Sequence, residues 1–357
     1  MIKQAQNWID SLNGAATTLG LLFLSICLNN GAEASDEQSI IRVDEFGYPN
    51  LNGIWNFDNN TPFERPAHLG DQEFLDDERV ASDAQRVQGS PEKQTQPISK
   101  LALGLLANPA AHYGVWGDLS SKFPNRRTSV IIYPKNGRLP KTKPNVQINR
   151  TGENTNCNNT GSAPLVRPVR MARGTISCDR PEDFGLSERC LFFPQTTGPY
   201  VKANPYNNNI QIVVTKDHVV LNSELGNDPR IIQLSANDFL DERIKTWTGS
   251  SRAHWEENTL VVETRNFTEK LASVFLRWES YGRADRMILT ERFTLASNET
   301  LLYEFTIDDP FTFNDTIKGI NHFVKSDLGM YEYSCHEGNY SMINMLKGGR
   351  VSDIRGY

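Results

Sequence analysis

The segment IQIVVTKDHVVLNS, residues 210–223, decides the fold class of this chain. Two runs rich in β-branched residues, Ile210–Thr215 and His218–Ser223, flank the polar pair Lys216–Asp217. Such runs favour strands, and a turn this short can join only antiparallel neighbours. The segment therefore predicts a β-hairpin, which needs further strands beside it to bury its apolar face.

Short runs of the same kind recur through most of the chain, separated by Asn, Gly, Pro and Asp. The predicted strands are Leu51–Phe57, Thr128–Tyr133, Arg230–Leu234, Thr259–Thr264, Met287–Leu295 and Leu301–Ile307. Ser297–Glu299 joins the last two as a second hairpin. This pattern predicts a mainly β protein with an antiparallel barrel-like or two-sheet body, since either arrangement limits exposed strand edges.

The first part of the chain predicts an export signal. An apolar run from Ala15 to Leu28 precedes the small-residue pattern Ala32-Glu33-Ala34, so residues 1–34 are predicted to be a signal peptide cleaved after Ala34. The charged region before the run is weak, and a retained membrane anchor stays the alternative. The run is short compared with the roughly 20 residues that a spanning helix needs. We expect a periplasmic or secreted protein with no stable membrane insertion after cleavage.

The remaining chain divides into two predicted regions. Residues 35–100 are predicted to be an extended and helical N-terminal arm with a linker. The helix is expected over Gly70–Val87, where apolar residues recur at helical spacing. Residues 101–357 are predicted to be a β-rich ligand-binding domain.

Composition and absent motifs exclude several functions. The formal net charge of −6 provides no general attraction for nucleic acid. The chain has no glycine-rich nucleotide loop, no Gly-x-Ser-x-Gly elbow and no His-Glu-x-x-His motif. No cysteine or histidine pair has the short spacing of a zinc site. We therefore expect no cofactor, no metal and no nucleic-acid partner; the oligomeric state stays open.

Four cysteines follow the predicted cleavage point, an even number in a chain bound for an oxidising compartment. We predict the pairs Cys157–Cys178 and Cys190–Cys335 among three possible connectivities. Buried free thiols are the alternative.

Several segments resemble, in the same order, a widespread family of secreted bacterial proteins without a settled biochemical function. They include LNGIWNFDNNTPFERP (51–66), RRTSVIIYPKNGRLP (126–140), NPYNNNIQIVVTKDHVVLNSE (204–224), SSRAHWEENTLVVETRNF (250–267), LLYEFTIDDP (301–310) and YEYSCHEGNY (331–340). The resemblance implies an exported, β-rich, lipocalin-like bacterial protein and very little about its substrate. The chain departs from the family pattern at Ser250, where an Asp is expected, and over Leu225–Asp228, where a His is expected.

The first candidate site lies in the segment 250–267. Side chains alternate along a strand, so Arg252, His254 and Glu256 would share one face and Trp255 the other. An Arg, a His and a carboxylate together can orient a ligand and move a proton. The alternative is an ion pair at a strand entry, with Trp255 as a core anchor.

A second candidate is His336 with Glu337, which a Cys190–Cys335 disulfide would hold in place. Glu224 and Tyr303 could point into a barrel lumen, where burial would favour the protonated carboxyl. Arg126 could hold an anionic ligand. The alternatives are a disulfide-tied turn with satisfied polar groups, solvent-facing side chains and a solvated arginine pair.

Two functions from different classes are consistent with these residues. The first is a cofactor-independent acid/base enzyme, such as a cyclase, isomerase, hydratase or lyase. It would use His254 and His336 for proton transfer, Glu224 and Glu337 as carboxylates, and Arg252, Arg126, Tyr303 and Trp255 for substrate binding. The second is a lipocalin-like carrier that holds an apolar molecule without turnover.

Overall fold

The computed structural model of the chain describes residues 40–59, 61–80, 126–146, 148–150, 180–194, 198–203, 207–226, 228–235, 238–276 and 279–355. The chain divides into two compact units, Met1–Ile40 and Ile41–Tyr357. Of the first unit only Ile40 is described, so the strands, helix and cavity all belong to the second unit. The predicted signal peptide and the predicted pair Cys157–Cys178 lie outside the described residues.

Thirteen strands are found in the described residues, more than the sequence pattern predicted. They are β1 (Gly53–Asn56), β2 (Ile131–Tyr133), β3 (Ile148–Arg150), β4 (Asn209–Val214), β5 (His218–Ser223), β6 (Arg230–Leu234), β7 (Ser250–Glu256), β8 (Thr259–Arg265), β9 (Val274–Phe275), β10 (Glu279–Tyr281), β11 (Ile288–Ser297), β12 (Thr300–Asp308) and β13 (Ile317–Ser326).

Nine of these strands close into a barrel in the order β1-β4-β5-β6-β7-β8-β11-β12-β13, with β1 also pairing β13. The strand β2 adds to the edge of β13, and β3, β10 and β9 form a separate small sheet. The predicted mainly β class is thus confirmed. The barrel form is observed in place of two facing sheets.

One pair of neighbours departs from the predicted antiparallel pattern. The strands β6 and β7 are parallel, with Gln233 opposite Arg252. A parallel pair cannot be joined by a tight turn, so the chain from Ser235 to Gly249 must return along the barrel before β7 begins. This crossover connection supplies part of the candidate site.

The barrel interior is filled by side chains that alternate inward along each strand. Rings dominate this core. The centroids of Phe293 and Tyr303 lie 5.2 Å apart, those of Tyr303 and Phe323 5.0 Å, and those of Tyr303 and Phe305 5.9 Å. Trp55 is also fully buried. Most of the barrel is therefore a packed core and not an open lumen.

Both predicted hairpins are confirmed. Lys216–Asp217 lies in the turn between β4 and β5, where the Thr215 N–H donates to the carbonyl oxygen of His218 at 2.8 Å. Ser297 pairs with Thr300 across the second turn. The hydrophobic pattern and the turn residues therefore predicted these two hairpins correctly, because their strands are joined directly.

The long strand β13 is not predicted from the sequence, because two of its inward positions are not apolar. Gly319 and Asn321 stand between the buried Ile317 and Phe323. A Cβ atom at Gly319 would lie 2.2 Å from the Phe305 ring, so this position admits only glycine. The alternation of apolar residues is consequently interrupted on the face that packs against the core.

The helical predictions need two corrections. Of the helix expected over Gly70–Val87, only residues 77–80 are helical among those described, and Phe74 forms a β-bridge with Arg127 instead. A helix that was not predicted, α1 (Tyr340–Arg355), follows the barrel. Among the described residues no helix has the length and apolar character needed to cross a membrane.

A candidate ligand cavity at one end of the barrel

The candidate site lies at the end of the barrel where β4, β6 and β7 begin and β5 and β8 end. The turns at residues 215–217 and 257–258 mark the opposite end, because they connect β4 to β5 and β7 to β8. The described parts of the crossover connection before β7 and the covering segment, residues 190–194 and 198–201, lie over the first end. We call this end the cavity end.

A cavity of about 230 Å³ lies under this cover. Among the described residues, apolar side chains and polar groups both line it. The apolar side chains are Leu191, Phe192, Phe193, Pro199, Val201, Ile210, Leu221, Trp247 and Phe267. Ser223, Thr248, Asp228, Arg230 and His336 supply polar atoms. The rings of Phe192 and Trp247 lie 6.2 Å apart and nearly parallel, so aromatic surface forms part of the wall.

Arg230 connects the cavity to the barrel core. Its Nη1 donates to Glu291 Oε2 at 2.6 Å and its Nη2 to Glu291 Oε1 at 3.0 Å, which makes a two-pronged ion pair. The Glu291 side chain is fully buried, and 13% of the Arg230 side chain is exposed. The pair therefore places a charged group in the cavity wall with its counter-charge behind it.

Tyr303 completes this network from the next strand. Its hydroxyl donates to Glu291 Oε1 at 2.8 Å and accepts the backbone N–H of Val201 at 3.1 Å. Val201 lines the cavity, so the hydroxyl ties the covering segment to the barrel. Asn321 also donates to the Val201 carbonyl oxygen, at 3.3 Å.

The network fixes the charge states of its members. Burial alone would lower the pKa of Arg230, but the Glu291 carboxylate outweighs it and leaves that pKa above its ordinary value. Burial, helped by the nearby Glu291 charge, raises the pKa of Tyr303 well above its ordinary value. Arg230 is therefore a cation and Tyr303 a neutral phenol across the physiological range.

The predicted disulfide Cys190–Cys335 is confirmed and lies in the cavity wall, with Cα atoms 5.7 Å apart. It attaches the segment that carries His336 to the cover of the barrel. Asn339 supports the attachment by donating to the Glu188 carbonyl oxygen at 3.3 Å. His336 is exposed at the mouth of the cavity, as is Asp228.

The first predicted cluster lies elsewhere. Arg252, His254 and Glu256 do share one face, as the alternation predicted, but they face outward, while Ala253 between them is buried. His254 Nε2 lies 3.1 Å from Glu256 Oε1, and Arg292 donates to Glu256 Oε2 at 2.8 Å. Because β7 starts at the cavity end, His254 lies toward the opposite end, and none of the three residues lines the cavity.

The other predicted site residues are scattered. Glu224 is buried and accepts a hydrogen bond from Asn209 at 2.8 Å, but it does not line the cavity. Glu337 is exposed beside His336. Arg126 is exposed and pairs with Asp77. Trp255 stacks on Tyr48 with centroids 4.7 Å apart, near the opposite end.

Apart from the disulfide, Tyr303 and His336 are thus the only predicted site residues associated with the cavity in the described part of the chain. Sequence reasoning missed Arg230, Asp228 and Glu291 as site residues. Glu291 occupies the inward position of β11 between Leu289 and Phe293. A carboxylate on an otherwise apolar face is a signal of a buried partner.

Lys202 is a second buried cation close to the covering segment, and 8% of it is exposed. Its Nζ donates to the Phe275 carbonyl oxygen and lies 5.4 Å from the Tyr200 ring centre and 5.7 Å from that of Phe63. Among the described residues no carboxylate lies within ion-pair distance of this amine. Burial lowers the pKa of Lys202 from 10.5 to about 7.

Within the described ranges no group of three His, Cys, Asp or Glu side chains is arranged to hold a metal ion. The chain matches no protein-family model and no curated protein. Its function is therefore inferred from the geometry of the cavity end.

Proposed function

We propose that the protein binds a small organic molecule in the cavity at the end of the barrel. The observation that carries this proposal is a cavity with apolar and aromatic side chains in its walls and the largely buried, oriented cation Arg230 among them. Ligand sites in proteins likewise combine apolar and aromatic side chains with a few fixed polar groups. The covering segment, held by the Tyr303 hydroxyl and the disulfide, keeps the site preformed.

The size of the cavity limits the ligand. Pockets for drug-sized molecules measure about 300–1,000 Å³, and this cavity measures about 230 Å³. The ligand is accordingly small, with an apolar or aromatic body that contacts Phe192, Trp247 and Phe267. Its polar group lies against Arg230.

Turnover of that molecule is the second candidate function. It is favoured by one observation: Asp228 and His336 both line the mouth of the same cavity. A carboxylate and an imidazole at one ligand could serve as acid and base in an isomerase, cyclase or lyase reaction. Of the predicted catalytic and binding residues, His336 lines the cavity, whereas His254, Arg252, Arg126, Glu224 and Glu337 do not line it in the described part of the chain.

The disulfide Cys190–Cys335 supports a periplasmic or secreted location, because such bonds form and persist in oxidising compartments. A role as carrier or enzyme outside the cytoplasm is part of the proposal.

Native mass spectrometry of the protein purified from its own host tests the binding proposal. Thr248→Trp fills the cavity from its loop wall, and His254→Trp is the matched control on the outer face near the opposite end. We expect the wild type and His254→Trp to carry a bound small molecule and Thr248→Trp to lack it. The same bound mass in Thr248→Trp would overturn the proposal.

Asp228→Asn and His336→Ala separate carrier from enzyme in the same measurement. A carrier retains the wild-type ligand mass in both variants. An enzyme accumulates a different mass in the variants, and wild-type protein converts this molecule to the wild-type product on mixing.

A further inference from the structure

The hydrogen-bonding state of Arg230 limits what its ligand can be. A guanidinium has five N–H groups in a planar fork, and two of them are directed to Glu291. No other acceptor for Arg230 is found in the described part of the chain. Because Arg230 lines the cavity, N–H groups remain to donate to a ligand oxygen there.

The charge of Arg230, in contrast, is already balanced. Glu291 lies in direct contact behind it, and the two together are neutral. A ligand carboxylate placed against Arg230 would lose its water and gain little net attraction, since Glu291 repels it from the far side of the guanidinium. Asp228 at the mouth adds a further negative charge. The cavity is therefore unfavourable for anions even though an arginine lines it.

Among the described residues, a cationic ligand finds no buried counter-charge in the cavity wall either. Glu291 is engaged by Arg230 and by the Tyr303 hydroxyl. Asp228 is exposed at the mouth, where water and salt weaken its attraction for a cation. An uncharged ligand with a hydrogen-bond acceptor can bond the N–H groups of Arg230 that do not contact Glu291. Such a ligand brings no further charge into the cavity.

We infer that the cavity, taken as the ligand site of the proposed function, selects uncharged molecules that direct a carbonyl or hydroxyl oxygen to Arg230 and discriminates against carboxylates. The class comprises small aromatic or alicyclic ketones, esters and alcohols. Glu291 is then a specificity-determining residue, because it cancels the charge that would otherwise attract acids.

Three probes of similar size and shape test this inference: acetophenone, benzoate and ethylbenzene. Their dissociation constants are measured on the full mature protein by NMR titration at pH 7. We expect acetophenone to bind about ten-fold more tightly than ethylbenzene, because it gains one charge-assisted hydrogen bond. Benzoate is expected to bind at least about ten-fold more weakly than acetophenone.

The double variant Arg230→Met with Glu291→Leu removes the donor and the charge together. Replacing a buried ion pair by apolar residues of similar volume is often neutral for stability, so this variant is expected to fold. Acetophenone and ethylbenzene should then bind equally. If the variant does not fold, the order of the three probes on the wild type decides alone.

The outcomes separate the inference from the proposed function. Benzoate binding as tightly as acetophenone, or an acetophenone preference that survives in the folded double variant, would overturn the inference and leave a ligand cavity in place. Failure of all three probes to bind at millimolar concentration would overturn the cavity as a ligand site and the inference with it.

Discussion

Arg230 and Lys202 are both largely buried basic residues near the cover of the barrel, and their surroundings differ in one respect. Arg230 meets the Glu291 carboxylate in a two-pronged ion pair. Lys202 meets the Phe275 carbonyl oxygen and the rings of Tyr200 and Phe63, with no carboxylate at ion-pair distance among the described residues. The pKa of Arg230 is raised, whereas that of Lys202 is lowered to about 7.

The comparison shows that burial does not fix the charge of a side chain; its partner does. Loss of water disfavours the charged form of both groups, and at Arg230 the adjacent Glu291 carboxylate reverses the effect through its charge and its hydrogen bonds. Arg230 is consequently a constant part of the cavity wall. Lys202 instead makes the free energy of unfolding depend on pH.

The largest effect is expected from Lys202→Met, which removes the buried amine. The folded protein binds fewer protons than the unfolded chain between pH 7 and 10.5, so wild-type stability rises with pH across this window. Below about pH 7 the full penalty applies, and the variant should be more stable by roughly 5 kcal/mol. Above about pH 10.5 this gain disappears. Urea unfolding at pH 6 and pH 10.5 measures both values.

Lys325→Met is the matched control, because Lys325 lies 5.5 Å from the Trp55 ring centre but is only partly buried. Its change in unfolding free energy should stay below about 1 kcal/mol. A Lys202→Met variant that behaves like this control would show that Lys202 carries no burial penalty.

Glu291→Gln tests the Arg230 half of the comparison. It removes the counter-charge of Arg230 and leaves this arginine charged and largely buried. Removing one partner of a buried ion pair costs about 3–5 kcal/mol of unfolding free energy. Chemical denaturation at pH 7 measures the loss. The control Glu256→Gln breaks the exposed pair with Arg292 and should cost less than about 1 kcal/mol. Equal losses in the two variants would contradict the role assigned to Glu291.

Tyr303→Phe tests the hydrogen bonds that the Tyr303 hydroxyl makes with Glu291 and Val201, and it should change the unfolding free energy less. The Val201 N–H loses its acceptor and Glu291 loses one donor, so we expect a loss of about 1–3 kcal/mol. Hydrogen exchange of the Val201 amide should also become faster, since the cover is less firmly attached. Tyr133→Phe, which removes an exposed hydroxyl bonded to Asp315, should leave stability unchanged in the same measurement.

His254→Ala should have the smallest effect. The side chain is half exposed on the outer face, and surface substitutions of this kind change the unfolding free energy by less than about 0.5 kcal/mol. Binding of acetophenone should be unaltered, because His254 does not line the cavity. Weaker binding of acetophenone to a correctly folded His254→Ala protein would place the ligand site on the outer face of β7 and contradict the cavity proposal.

The strands joined by tight turns could be predicted from the sequence, because local alternation and turn residues specify them together. The strand β13 could not, since Gly319 and Asn321 interrupt its apolar face for reasons found only on its neighbours. In the candidate site, Tyr303 and His336 were anticipated. The alternation correctly predicts that Arg252, His254 and Glu256 share one face of β7. The strand pattern alone does not say whether that face points into the barrel or outward.

The sequence by itself determined the mainly β class and the two hairpins, and it predicted the pair Cys190–Cys335 as part of one of three possible connectivities. These features depend on short-range periodicity and on the small number of cysteines. Only the tertiary structure decided that the strands close into a barrel and that Arg230 meets Glu291, 61 residues further along the chain. The physical reason is that closure and the partners of buried charges depend on contacts between distant segments, which the local pattern does not encode.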